Sequence, residues 1–238
     1  VMIICVTLPI RMVAERCGSR RASHSPRRLP SRIISTTIRP KSSMARRTRA
    51  EMEETRATLL STARQVFSEH GYVGTSMDEL TARAGLTRGA LYHHFGDKKG
   101  LLAAVVEQID GEVDARLNSI SENAGDAWEG LRQRCRAYLE MALEPDIQRI
   151  VLRDARAVLG GASQESHLHC LATMQRLVQN LIEQGVLAPA EPRALASLIY
   201  GGLAEAACWI AQSEEGDARL TQSLAALELL LRGLLARP

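Results

Sequence analysis

The chain is predicted to be all-α, with a short helix-turn-helix at its front and longer helices behind. Three observations lead there. Apolar residues recur at helical spacing along most of the chain, the breaks between these runs fall at Gly and Pro, and no alternating strand pattern appears. The 238 residues suffice for one or two domains with a sizeable core, and 45% hydrophobic with 24% charged is a globular composition. Five cysteines without a CxxC pair exclude a disulfide scaffold and a zinc-finger site, and they suit a reducing compartment.

The net charge of +3 averages unlike pieces. Residues 1–43 carry nine Lys and Arg against one acid, residues 44–100 nine against seven, and residues 101–238 twelve against nineteen. A slightly basic front on an acidic rear suggests an anion-binding module joined to a domain with another task. Residues 1–43 have no sustained period and several prolines, so no fold is expected of them. They read as a disordered basic arm or as sequence lying upstream of a start at Met44.

From Met44 the first helix is predicted over 46–71. Leu59, Leu60, Ala63, Val66 and Phe67 form its apolar stripe, and Gly71 is its stop. Ser76 can cap a second, two-turn helix, with Glu79 completing a capping box and Gly85 ending it. Thr87 can cap a third, RGALYHHF, with Leu86 and Leu91 as a hydrophobic staple. Helix, tight glycine turn and helix over 75–95 form the helix-turn-helix pattern.

On the third helix Ala90, Leu91 and Phe95 point inward, while Arg88, Gly89, Tyr92 and His93 share the opposite side. That patch suits a DNA groove. Arg88 can make a bidentate contact to guanine, Gly89 lets the backbone come close, and Tyr92 and His93 can donate to phosphate oxygens. The helix N-termini at Thr75-Ser76 and Thr87 offer N–H groups to phosphates, and Lys98 and Lys99 can clamp the backbone.

The segment TSMDELTARAGLTRGALYHHFGDKKGLL, with FSEHGYVG before it, is similar to the signature of TetR/AcrR-type transcriptional regulators. The resemblance covers about residues 46–105. It implies that Thr75 and Ser76 contact phosphate at the start of the second helix. It places base reading at Thr87, Arg88, Gly89 and Ala90, and further backbone contacts at Tyr92, His93 and Lys98. It also implies an N-terminal three-helix DNA-binding domain, 44–97, and a C-terminal helical ligand-binding and dimerisation domain, 98–238.

In the rear part a long helix is predicted from Lys98 to about Ile120. Others follow at about 126–144, 146–160, 164–184, 192–213 and 217–236, giving about nine in all. The run 194–211 is nearly all apolar. Glu205, twin glycines and the lack of a basic flank make it a buried helix and not a membrane span. Leu220, Leu224, Leu227, Leu231 and Leu234 repeat at 4-3-4-3 spacing, a seam that wants a partner helix. By resemblance, these last two helices pair with a second copy, through Leu198, Gly202, Trp209, Leu220, Leu224, Leu227 and Leu231. Packing within the chain's own subunit is the other reading of the seam.

Cys135, Cys170 and Cys208 read as buried thiols. His167, His169 and Cys170 are the one cluster of metal-ligand types, but His169 falls off the face shared by the other two, so no metal is expected. No P-loop, dinucleotide fingerprint or GxSxG is present, so neither a cofactor nor catalysis is expected. Asp154 between Arg153 and Arg156 reads as part of a solvated face. An effector pocket should be aliphatic, with Tyr138, Met141, Met174 and Trp209 as candidate lining and an apolar small molecule as ligand. The expected protein is a cytoplasmic, homodimeric repressor that binds an inverted repeat in double-stranded DNA and is released by its effector. An activator, or a helical ligand-binding protein with a vestigial DNA module, stays open on the sequence.

Overall fold

In a computed structural model, residues 49–236 are described, and the extension at 1–43 and the start at Met44 lie outside them. The described residues form helices without a named strand; one isolated bridge pairs Leu187 with Leu235. The order is α1 (Arg49–Gly74), α2 (Met77–Ala84), α3 (Arg88–Phe95), α4 (Lys98–Glu122) and α5 (Ala127–Glu140). A 3-10 turn (Met141–Leu143) and a π-helix (Ile147–Ala155) follow and lead into the single turn α6 (Arg156–Val158). The chain ends with α7 (Gln164–Glu183), α8 (Pro192–Ala211) and α9 (Gly216–Gly233).

The expected caps form. Ser76 accepts from the Glu79 N–H at 3.1 Å, and Thr87 from the Ala90 N–H at 3.2 Å. Gly85 ends α2 at φ 64°, a left-handed position that glycine takes without steric cost. Leu59, Ala63, Val66 and Phe67 of α1 are buried with Leu80, Leu91, Leu101 and Leu102. This core orients the short α2 and α3, which are too brief to hold shape alone.

Gly71 breaks the first helix as expected, with a non-helical φ of 70°, and a short continuation runs on to Gly74. The guanidinium of Arg149 lies where a β carbon on Gly71 would sit. The run expected as one helix over 146–160 is mostly π-helical. It packs against α1, α4 and α8, and ion pairs hold it at both sides. Arg64 of α1 bonds Asp146 through Nε at 2.8 Å and Glu112 of α4 at 2.6 Å. Asp154 accepts the Tyr72 N–H at 2.7 Å, Arg153 donates to the Ala211 carbonyl at 2.9 Å, and Arg156 meets Glu205 at 3.0 Å. Arg153 and Arg156 are exposed, as a solvated face requires, while half-buried Asp154 departs from that reading and ties the π-helix to α1.

Candidate nucleic-acid interface

Capping decides which groups α3 presents. Thr87 binds the Ala90 N–H with its side chain and the Leu91 N–H with its carbonyl, so only the N–H groups of Arg88 and Gly89 stay outside the ladder. Thr87, Arg88, Gly89, Tyr92 and His93 are exposed, Ala90 is half-buried, and Leu91 anchors the helix from beneath. No β carbon occupies the open surface over Gly89, which leaves room for close backbone approach. Arg88 is not waiting free: its Nε and Nη2 are paired with the two oxygens of Asp78 on α2, and that pairing raises its pKa. The pair is exposed, so exchanging carboxylate for a base edge costs little.

At the start of α2, Ser76 is exposed as expected, but Thr75 is not. Thr75 is only 3% exposed and its hydroxyl donates to the Gly71 carbonyl at 2.8 Å, because the kink in α1 leaves that carbonyl needing a donor. Its side chain is structural. Lys98 is half-buried, with its ammonium 4.4 Å from the centre of the Tyr72 ring. Burial lowers its pKa and nearby Asp154 opposes that. Lys99 is the exposed cation of the two. Behind this face, Arg83 of α2 pairs with Glu69 of α1 at 2.6 Å, which fixes the angle between the two helices.

The rear residues separate into three places. Met141 and Met174 lie in the core, and Tyr138 is half-buried against it. Trp209 does not join them: it is 42% exposed on α8 with Arg219 stacked 4.8 Å from its ring centre. Nor is α8 the buried helix expected, since Leu198, Gly201, Gly202, Glu205 and Trp209 all face outward. The leucine seam of α9 turns the other way. Leu231 is 2% exposed, and Leu220, Leu224 and Leu227 are partly buried against the core of their own subunit. The outward apolar residues of α9 are Leu229 and Leu230, 75% and 68% exposed. The unbroken leucine run 229–231 hid their register in the sequence.

His167 stands edge-on to Tyr200 at 5.1 Å while His169 reaches Asp114 at 3.2 Å, so the two imidazoles serve different neighbours. Cys135 and Cys208 are buried, whereas Cys170 keeps some exposure. Burial pushes the Cys135 thiol up to about 12.

A capped bihelical unit with an Arg-Gly-Tyr-His face defines a helix-turn-helix regulator. The family described as "Bacterial regulatory proteins, tetR family" matches residues 59–105, and "Tetracyclin repressor-like, C-terminal domain" matches residues 128–234. The chain is 30% identical to the HTH-type transcriptional regulator AcrR of Shigella flexneri over 145 residues, 58% of this chain and 67% of AcrR. It is 44% identical over 61 residues to the HTH-type transcriptional repressor BepR of Brucella suis, 26% of this chain and 29% of BepR. A solved TetR-family transcriptional regulator from Pectobacterium atrosepticum shares 76% identity, with TM-score 0.77, over 81% of this chain and all of that one. The chain belongs to the TetR family of bacterial transcriptional regulators.

Proposed function

We propose that the protein is a cytoplasmic repressor that binds an inverted-repeat operator as a homodimer and is released by a small-molecule effector. The observation that carries the reading is the exposed front of α3, with Thr87, Arg88, Gly89, Tyr92 and His93 set on a capped, core-anchored helix. Base reading belongs to Arg88 and Gly89. Ser76, Tyr92, His93 and Lys99 are placed for phosphate contacts.

One α3 reads only a few base pairs. Two copies related by a two-fold axis read a palindrome if their separation matches the groove repeat of about 34–36 Å. The outward face of α8 and α9 supports such a pairing, with Leu198, Trp209, Leu229 and Leu230 exposed around Gly201 and Gly202. Apolar exposure of this kind on adjacent helices marks an interaction surface. The π-helix then lies between the paired helix α8 and the DNA-reading front. An effector that shifts it alters the spacing of the two α3 helices.

The test is a titration of the full chain against DNA from upstream of its own gene, with scrambled DNA as control, at fixed salt. Saturable binding of two chains per site to the first DNA alone is expected, and Arg88→Ala should abolish the difference. Equal weak binding to both DNAs refutes the assignment.

A further inference from the structure

Asp78 is an exposed carboxylate in the first turn of α2, two residues beyond Ser76. An acid is out of place on a surface that meets DNA. Ser76 takes the Glu79 N–H with its side chain and the Leu80 N–H with its carbonyl. The N–H groups of Met77 and Asp78 therefore stay outside the ladder, open to a phosphate. A bare carboxylate beside them repels that phosphate. An acid in a first helical turn does suit the helix dipole, but Glu79 already serves that purpose, and the dipole does not explain a bond to α3.

The pairing with Arg88 is side-on. Nε of Arg88 donates to Oδ1 of Asp78, and Nη2 donates to Oδ2. A guanidinium carries five N–H donors in one plane. Asp78 takes the Nε–H and one Nη2–H, and no other hydrogen bond or ion pair of Arg88 occurs among the described residues. The edge left free is the end-on fork of Nη1 and Nη2, which matches the O6 and N7 acceptors of guanine. A β carbon on Gly89, the next residue, would meet only the Thr87 hydroxyl, at 3.9 Å, so a base pair has room to approach the fork.

In water this exposed pair is broken at little cost. Against DNA the exchange is unfavourable, because it leaves Asp78 uncompensated among phosphates. Keeping the pair satisfies both groups. Two bonds also fix the guanidinium plane and remove rotamer freedom that a long side chain otherwise loses on binding. An arginine held in this way does not swing sideways onto the backbone.

We infer that Asp78 is a positioning residue for sequence reading: it holds the side edge of the Arg88 guanidinium while the end edge reads a guanine. This rests on the DNA-reading role of α3 proposed above and names the group that sets its base preference.

The test is selection from a random duplex library at fixed salt, with sequencing of the bound DNA. The full-chain wild type, Asp78→Asn, Asp78→Ala, Glu79→Gln and Arg88→Ala are compared. The wild type should enrich a motif with guanine favoured at least about tenfold at one position of each half-site, and Arg88→Ala should lose that guanine. Both Asp78 variants should keep the rest of the motif while the guanine preference falls to within about threefold. Glu79→Gln removes a charge from the same turn without touching Arg88 and should keep the guanine. In anisotropy titrations Asp78→Asn should bind scrambled DNA about three- to tenfold more tightly, with a salt slope steeper by about one, because the released Arg88 neutralises a phosphate. A merely structural Asp78 would instead weaken binding to all sequences alike on substitution. A guanine preference that survives both Asp78 variants, or that Glu79→Gln also loses, overturns the inference and leaves the regulator standing. A wild-type motif without an Arg88-dependent guanine does the same. No enriched motif for the wild type refutes the regulator, and the inference with it.

Discussion

Removing the Asp154 carboxylate should loosen the front helices from the rest of the chain. The kink at Gly71 takes the Tyr72 N–H off the α1 ladder, and Asp154 supplies its acceptor at 2.7 Å in a half-buried position. A hydrogen bond to a charged group contributes about 1.5–3 kcal/mol, and water reaching the exposed side will recover some of it. Asp154→Ala should therefore destabilise by about 1–2 kcal/mol, which for a chain of this size lowers Tm by roughly 2–8 °C. Asp154→Asn keeps an acceptor and should lose about half as much. The same bond bounds the coupling it can carry between α1 and the π-helix. About 2 kcal/mol is a factor of roughly 30, so operator affinity per subunit cannot change by more than that through this link. Urea unfolding and operator titration of the three proteins measure both effects. An Ala variant within about 0.5 kcal/mol of wild type, with unchanged operator affinity, would refute the view that this contact joins the two parts.

Arg88→Ala should weaken operator binding by about one to two orders of magnitude, while Tyr92→Phe should cost less and affect all sequences alike; fluorescence anisotropy at two salt concentrations separates the two effects. Leu198→Glu with Leu229→Glu should leave the helical content unchanged and convert the dimer to monomer in analytical ultracentrifugation, whereas Leu231→Ala should instead destabilise the fold by about 2–5 kcal/mol. Cys135 and Tyr200 hold their protons to about pH 12 when folded but release them near 9 and 10 when unfolded. Their contribution is full below those unfolded values and is lost as pH rises toward 12, so the urea midpoint should fall steadily above about pH 9. Cys135→Ala should make that fall shallower. Asp110 keeps its proton more readily when folded, so its contribution is present at low pH and lost as pH rises through the folded value. Asp110→Asn should therefore raise Tm at neutral pH, and the gain should shrink toward pH 4.

The front of the molecule was legible because its signals are local. Ser76, Gly85 and Thr87 each act on a backbone group within four residues, as their type and spacing require, whereas the Glu79 carboxylate does not close the expected capping box and meets Arg83 at 3.2 Å instead. Thr75 shows the opposite case. The resemblance implies a phosphate contact for it, but its side chain is buried and its hydroxyl bonds the carbonyl of the kinked Gly71, four residues earlier. Asp154 shows the same limit over a longer range: its partner is a backbone N–H 82 residues away. In α9 the helical period is borne out, with Leu231 buried and Leu220, Leu224 and Leu227 partly buried. A 4-3-4-3 repeat says that a face is apolar, but not whether the chain's own helices or another molecule will cover it. The exposure of Leu229 and Leu230 needed three dimensions.

The placement of charge along α4 and the π-helix shows where the helices are braced against one another. Arg134 pairs with Asp114, Arg64 bridges Asp146 and Glu112, and Arg156 meets Glu205, so these acids act as struts. Asp110 is left on the same α4 face as Asp114, with only the Ser166 hydroxyl. α4 itself begins at Lys98, beside Tyr72 and the far end of the Asp154 bond. The π-helix is a form rare in proteins and frequent at functional sites, and here it is braced at its two ends, by Arg64 on Asp146 and by Arg156 on Glu205.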